Sequence, residues 1–377
     1  MKFIHLSDLH IGKRLNEYSL LEDQEYILNQ IIEIIKNKQV EAVVLAGDIY
    51  DKNIPSAEAV SLFNWFLSTL AKENLKIFII SGNHDSAQRL SFGEKIMDNS
   101  GIYIAPVFSR DIKTITLSDE FGDVNFYLLP FIKPVNVKMF YSDENIVTYE
   151  EAVKTVVDNI EVDENKRNVI VTHQFITGAL RCDSEEISVG GTDNIDYKVF
   201  DKFDYVALGH IHSAQFIGRE TVRYCGTPLK YSFSETGHIK SATIVELGQK
   251  GDVLIETLQL NPKRDLTEIR GNFDDLTSKN FYDQQNRNDY FRIILTDEEE
   301  IIDVASKLRL VYPNLMKIEY DNQRTRSNSK IDVDEKVEEK QPIELFSDFF
   351  EMQNNSKMNQ EQIEYMTKLF ENQLEEK

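Results

Sequence analysis

Cysteine is scarce in this chain: Cys182 and Cys225 are the only two in 377 residues. Two thiols cannot build a disulfide framework, and no CxxC pair offers a thiolate metal site, so both read as reduced and structural. Long apolar runs are also missing. No stretch approaches the roughly 20 apolar residues that cross a bilayer. The opening MKFIHLSDLHIG is broken by Asp8 and His10, unlike a secretory signal, and a cytoplasmic location is expected. Positive charge is in deficit: 42 Lys and Arg stand against 64 Asp and Glu, a net charge of −22. Sequence-blind binding of nucleic acid relies on cations that release phosphate counterions, so a polyanionic substrate would need local help or a second subunit. There is no GxxxxGK(S/T) phosphate loop, which leaves any ATPase to another chain.

What is present is an ordinary globular composition, 41% hydrophobic and 28% charged, long enough for two domains and a sizeable core. Apolar strand-like runs alternate with helical patterns. KFIHLSDLH (2–10) precedes the amphipathic stretch EDQEYILNQIIEIIKNKQ, where Tyr26, Ile27, Ile31, Ile34 and Ile35 fall near helical spacing. AVVLAGDIYD (42–51), a helix pattern over Ala57 to Lys72, and KIFIISGNHD (76–85) follow. Further strands are expected at 124–131, 167–174, 205–210 and 242–247. The alternation predicts an α/β fold with helices covering a sheet, and periodicity cannot tell one sheet from two.

The polar residues fall at the ends of those strands. Asp8 and His10, Asp48, Asn83 and His84, His173, and His210 with His212 each sit at or just beyond a carboxyl end, where open α/β sheets collect their ligands. Carboxylate, imidazole and amide oxygen together suit manganese, iron or zinc, while several histidines argue against a pure magnesium or calcium cage. Two such ions about 3.5–4 Å apart can share a carboxylate and hold a hydroxide ready to attack phosphorus in line. Asp48 is the natural bridge. Taken singly, DLH or GHIH is more often a hydrogen-bonded strand end, and GDIYD or SGNHD a turn. The joint pattern decides for a metal centre, because five of the seven histidines lie in these strand-end motifs. In GHIH, His210 and His212 point the same way along an extended segment and at first suggest one shared ion.

The series DLH, GD, GNHD, TH, GHIH resembles the calcineurin-like metallophosphoesterase family over roughly residues 1–250. That resemblance implies a four-layer α/β/β/α sandwich rather than one sheet. It also implies two ions, one held by Asp8, His10, Asp48 and His212, the other by Asp48, Asn83, His173 and His210. His84 would stand beside the scissile phosphate and assist the leaving group as a catalytic residue, and Asp85 would either orient His84 or cap its loop.

Protein phosphatases of the family carry GDxxDRG and GNHE, whereas this chain has GDIYDKN and GNHD. LHIGKRL (9–15), ISVGGTDNIDYKVFDKFDYVALGHIH (187–212), YCGTPLKYSFSE (224–235) and RDLTEIRGNFDDL (264–276) instead resemble the SbcD family of bacterial nuclease subunits. The resemblance implies a manganese-dependent nuclease, a 3′ to 5′ exonuclease on double-stranded ends and an endonuclease on single strands and hairpins. The setting would be DNA repair, recombination and replication, at the nucleoid. It further implies an SMC-like coiled-coil ATPase partner of the SbcC type, two copies of each subunit, and a homodimer contact through a helix around Arg89 to Met97. Lys13, Arg14, Arg89 and Lys230 lie next to motifs where they would either touch phosphates or be ordinary solvated surface. Two other readings stay open, a phosphoesterase of small phosphodiesters and a non-catalytic scaffold.

The expected domains are 1–260 for the nuclease, 261–320 for a small α+β capping domain, 321–341 for a polar linker and 342–377 for partner-binding helices. The linker DNQRTRSNSKIDVDEKVEEKQ is almost without large apolar groups. Beyond it, Leu345, Phe346, Phe349 and Phe350 share one helical face, and Ile363, Met366, Phe370 and Leu374 another. Such faces must be buried, against the chain itself or in a partner's groove, and the family resemblance favours the partner.

Overall fold

The computed structural model describes residues 1–142, 145–185, 194–328, 342–354, 357–360, 362–363, 365–367 and 369. It divides into two compact units, Met1–Asp265 and Leu266–Lys377.

In chain order, the strands of the first unit are β1 (Lys2–Leu6), the short pair β2 (Arg14–Leu15) and β3 (Tyr18–Ser19), β4 (Ala42–Ala46), β5 (Lys76–Ile80), β6 (Ile102–Ala105), β7 (Lys113–Asp119), β8 (Gly122–Leu129), β9 (Arg167–His173), β10 (Tyr205–Gly209), β11 (Gln215–Ile217), β12 (Arg219–Tyr224), β13 (Ser241–Leu247) and β14 (Val253–Gln259). They form two six-stranded sheets, ordered β14-β13-β1-β4-β5-β6 and β11-β12-β10-β9-β8-β7. This is the two-sheet sandwich that periodicity alone left undecided.

Alternation along each strand explains the layers. Phe3, Val44, Phe78 and Ile80 of the first sheet meet Phe126, Leu128, Val169, Val171 and Tyr205 of the second in one buried cluster. The Phe78 and Phe126 rings stack there at 4.3 Å between centroids, a contact worth about 0.5–1.5 kcal/mol beyond area burial. The neighbours Tyr127, Leu129, Ile170, Val206 and Leu208 face the other way and pack with Val153, Val156 and Val157 of the helix Tyr149–Asp158. Helices α1 (Leu21–Lys38) and α2 (Ala57–Lys72) form the crossovers between the parallel strands β1, β4 and β5, and α2 contacts β5. Most central strands are therefore buried on both faces, which is why they read as continuous apolar runs.

The buried face of α1 comprises Ile27, Leu28, Ile31, Ile32 and Ile35, with Asp23 and Gln24 at its start. Tyr26, expected on that face, is exposed, because it precedes Ile27 by one residue and so turns about 100° away. The stretch from Arg89 to Met97, expected as one helix, is two short ones, Ala87–Leu90 and Glu94–Met97, parted by a turn.

In the second unit, Leu266–Gly271, Tyr290–Leu295 and Leu315–Tyr320 form a three-stranded parallel sheet over a core of Ile269, Phe291, Ile293, Leu308 and Tyr312. The strands alternate with helices, so the expected α+β arrangement is in detail a small parallel α/β one. The segment expected as linker begins with a helix, Gln323–Asn328, and its remainder from 329 to 341 lies outside the described residues. Pro342–Asn354 is helical, with Leu345, Phe346 and Phe350 half-buried and Phe349 exposed. Phe370 and Leu374 lie outside the described residues, and among those described no helix is long and apolar enough to cross a membrane.

Candidate metal centre

Register brings the strand ends level. Leu6 pairs with Leu45, Ala46 with Ile80 and Gly209 with His173, so the turns after β1, β4, β5, β9 and β10 open on one edge. The two sheets meet at that edge, where His173 Nδ1 lies 2.8 Å from the Ala46 carbonyl oxygen. A methyl group on Gly209 would sit 1.9 Å from that same oxygen, and one on Gly47, whose φ is 87°, would sit 2.4 Å from His173 Nδ1. The glycines of GD and GH are thus the condition for the two edges to approach.

The backbone is strained at the same place. Asp8, His10, Asp48 and His210 hold φ of 52°, 42°, 51° and 104°. Such conformations cost on the order of 1–3 kcal/mol each and persist where surrounding structure dictates the side-chain direction.

Those directions converge. Donor atoms of Asp8, His10 and His212 lie within 4.8 Å of one another, as do those of Asp8, Asp48 and His173, and of His10, Asp48 and His84. His10 Nε2 is 3.2 Å from His212 Nε2 and 3.7 Å from Asp48 Oδ2. On the other side, His173 Nε2 is 3.4 Å from the same Asp48 oxygen, and Asn83 Oδ1 is 3.0 Å from both His173 Nε2 and His210 Nδ1. Asp48 stands between two imidazole groups.

Burial pushes His10 well below the usual imidazole range and His210 down to about 3. Burial opposes charge on His173 too, yet the Asp48 and Asp8 carboxylates overcome it and lift that ring to about 9. Burial raises Asp8; it also works to raise Asp48, but His173, His10 and His84 hold Asp48 well below the ordinary carboxylate range. The Ala46 carbonyl accepts a hydrogen bond from His173 Nδ1–H, so a divalent cation that displaced the Nε2 proton would meet the ring in the tautomer a metal ligand needs. Lone pairs that face one another across 3.2 Å are only partly satisfied by protons, and a divalent cation satisfies them. The donor set fits divalent metal.

The calcineurin-like phosphoesterase family matches residues 1–214, and a type 5 capsule protein repressor C-terminal domain matches residues 262–354. The SbcD chain of the nuclease SbcCD of Staphylococcus epidermidis is 35% identical over 84% of this chain and 84% of its own length. The corresponding protein of Staphylococcus saprophyticus is 34% identical over the same shares. The chain belongs to the SbcD family of calcineurin-like phosphoesterases. It is accordingly a metal-dependent phosphodiesterase. A solved dimetal phosphatase of Danio rerio aligns over 69% of this chain and 96% of that one, with 12% identity and a TM-score of 0.42.

All seven residues expected as ligands line the centre of this SbcD-family chain, with His84 at its more open side. Asp85, expected either to orient His84 or to cap its loop, turns to the loop backbone. Its carboxylate accepts from the backbone N–H groups of Ile49, Tyr50 and Gly82 at 3.0–3.1 Å, which ties the GD turn to the GN turn. Those bonds clamp two loops together, and burial together with nearby Asp48 raises the Asp85 carboxyl to about 6. His84 is oriented instead by the Asp51 carbonyl oxygen, 3.3 Å from Nδ1. Among the basic residues next to motifs, Lys13 pairs with Asp51 at 2.8 Å, and Lys230 donates to the Thr236 carbonyl and to Asp265.

Several supporting residues escaped the sequence reading. Ser7 donates to the Asp8 carboxylate. Gln24 of α1 donates to the His10 carbonyl at 2.7 Å and accepts from Gly12 N–H at 2.9 Å, and Tyr231 donates to the Leu9 carbonyl. The signal for Gln24 was available, since a polar residue at the head of the apolar stripe of α1 has to find partners when buried.

Proposed function

We propose that this chain is the nuclease subunit of an SbcCD-type complex and cleaves DNA phosphodiesters with two divalent ions, manganese in our reading. Asp8, His10, Asp48 and His212 would hold one ion, and Asp48, Asn83, His173 and His210 the other. The observation that carries this is the position of Asp48 Oδ2, 3.7 Å from His10 Nε2 and 3.4 Å from His173 Nε2, where one carboxylate serves both sides. The ions would supply a nucleophilic hydroxide at neutral pH and offset charge on the phosphoryl oxygens.

The remaining work falls to the chain's own groups. The His84 side chain is 19% exposed, the most open imidazole of the centre, and its backbone N–H donates to Asp48 Oδ1 at 2.9 Å. With Nδ1–H held by the Asp51 carbonyl, the protonated ring gives its Nε2 proton to the departing sugar oxygen, a step worth about 10²–10⁴ in rate. The 3′ to 5′ polarity on double-stranded ends, the cutting of single strands and hairpins, and the part in repair, recombination and replication rest on the family alone. So do ATP dependence through an SbcC-type partner and the assembly of two copies of each subunit.

The test incubates the protein with Mn²⁺ on labelled DNA and, in parallel, on a small phosphodiester. DNA should be cut, and His84→Ser should lower the rate at least about 10²-fold while bound metal stays unchanged. Loss of metal together with activity would make His84 a ligand, and cleavage of the small ester alone would overturn DNA as the substrate.

A further inference from the structure

His212 is backed by a buried charge network reaching away from the metal centre. Its Nδ1 lies 2.7 Å from Ser184 Oγ, and Ser184 Oγ donates to Glu235 Oε1 at 2.7 Å. The other carboxylate oxygen of Glu235 accepts from Lys240 Nζ at 2.5 Å, and the two side chains are 0% and 6% exposed. Lys240 spends its other two N–H groups on Thr227 Oγ1 at 2.7 Å and on the His212 carbonyl at 2.9 Å. The His212 backbone N–H donates to Glu185 Oε1 at 2.6 Å.

Proton counting gives the network a direction. An ionised carboxylate only accepts, so the single hydroxyl proton of Ser184 goes to Glu235. Ser184 Oγ must then accept from His212, which places the ring proton on Nδ1 and the lone pair on Nε2, the atom facing His10 across 3.2 Å. The other site imidazoles are held differently. His173 rests on a neutral backbone carbonyl, and His210 turns its Nδ1 toward Asn83.

We propose that Ser184, Glu235 and Lys240 are positioning residues that fix the tautomer and strengthen the donor character of His212, and so set the affinity of one of the two ions selectively. This rests on the reading of His212 as a ligand of a single ion. Lys240 keeps Glu235 ionised, Glu235 orients the Ser184 hydroxyl, and Ser184 holds the imidazole. Partners of this kind behind a ligating histidine typically change metal affinity about 10–100-fold.

The experiment titrates Mn²⁺ into the metal-free protein by calorimetry, counts bound ions, and records thermal melting of each metal-free variant. Ser184→Ala and Glu235→Gln should each weaken one ion about 10–100-fold and leave the other as in the parent. Ser184→Ala should leave the metal-free melting temperature nearly unchanged, while Glu235→Gln, which leaves Lys240 buried without its counter-ion, should lower it. Ser184→Thr, which keeps the hydroxyl, should restore the affinity. His212→Ala is the separate control and should remove the same ion. If Ser184→Ala and Glu235→Gln bind both ions as the parent does while His212→Ala loses one, the positioning role is wrong and the ligand reading stands. If His212→Ala keeps both ions, the ligand reading itself fails. Equal weakening of both ions with a lowered melting temperature would reduce the network to a structural one and overturn the proposal.

Discussion

At Gly209, a hydrogen atom is all that fits between a strand end of one sheet and the Ala46 carbonyl oxygen of the other, since a methyl group would stand 1.9 Å from it. Gly209→Ala should therefore force the two edges apart, lower stability by about 1–3 kcal/mol, and misplace His210 and His173 together. Thermal melting with a Mn²⁺ count checks this, and an unchanged melting temperature with full metal would contradict it. The histidines and aspartates of the centre were legible in the sequence because metal chemistry restricts residue type and strand ends restrict position. Their supports were not. Ser184 and Glu235 are ordinary polar residues in sequence, and only the fold brings them behind His212. Asp85 shows the converse: its place beside His84 in sequence suggested a shared task, while its carboxylate turns to the amides of Ile49, Tyr50 and Gly82.

Among the elements, β1, β4, β5, β8, β9, β10, β13 and the long helices α1 and α2 were legible because each carries enough apolar residues to fix its period, and the helix expected over Ala57–Lys72 has those bounds. The number of sheets was not, since a strand buried on both faces looks alike whether helices or a second sheet cover it. Strands β6, β11, β12 and β14 were not legible, and neither was β7, a half-exposed edge strand without an apolar run. Its last residue, Asp119, fastens the edge far from the metal centre. Asp119 accepts from the buried Arg167 guanidinium, which also reaches the Leu247 and Gly248 carbonyls and thereby joins both sheets. Hydrogen bonding from Arg167 holds the Asp119 carboxyl well below its usual value of 3.8. A depressed folded value means the stabilisation is present above the ordinary carboxylate range and is lost as pH falls below about 4. Asp119→Asn should cost about 3 kcal/mol at pH 7 and lose much less between pH 7 and pH 3 than the parent. Denaturant unfolding at the two pH values reads the difference, and parallel losses would contradict the account.

For the whole molecule, two features still call for other molecules: a net charge of −22 in a chain of a nuclease family, and a C-terminal segment with exposed Phe349, Ile363, Tyr365 and Leu369. An SbcC-type ATPase would answer both, by carrying the basic surface and the groove. Deleting residues 341–377 should leave Mn²⁺-dependent cleavage of simple DNA substrates intact and abolish co-purification with such a partner; retained association would place the contact elsewhere. Beneath these lies the claim of a dinuclear centre bridged by Asp48. The most direct measurement is electron paramagnetic resonance of the protein loaded with two equivalents of Mn²⁺. The account predicts a spin-coupled pair that Asp48→Ala destroys together with DNA cleavage, whereas one tightly bound ion, or two uncoupled ions unaffected by Asp48→Ala, would contradict it.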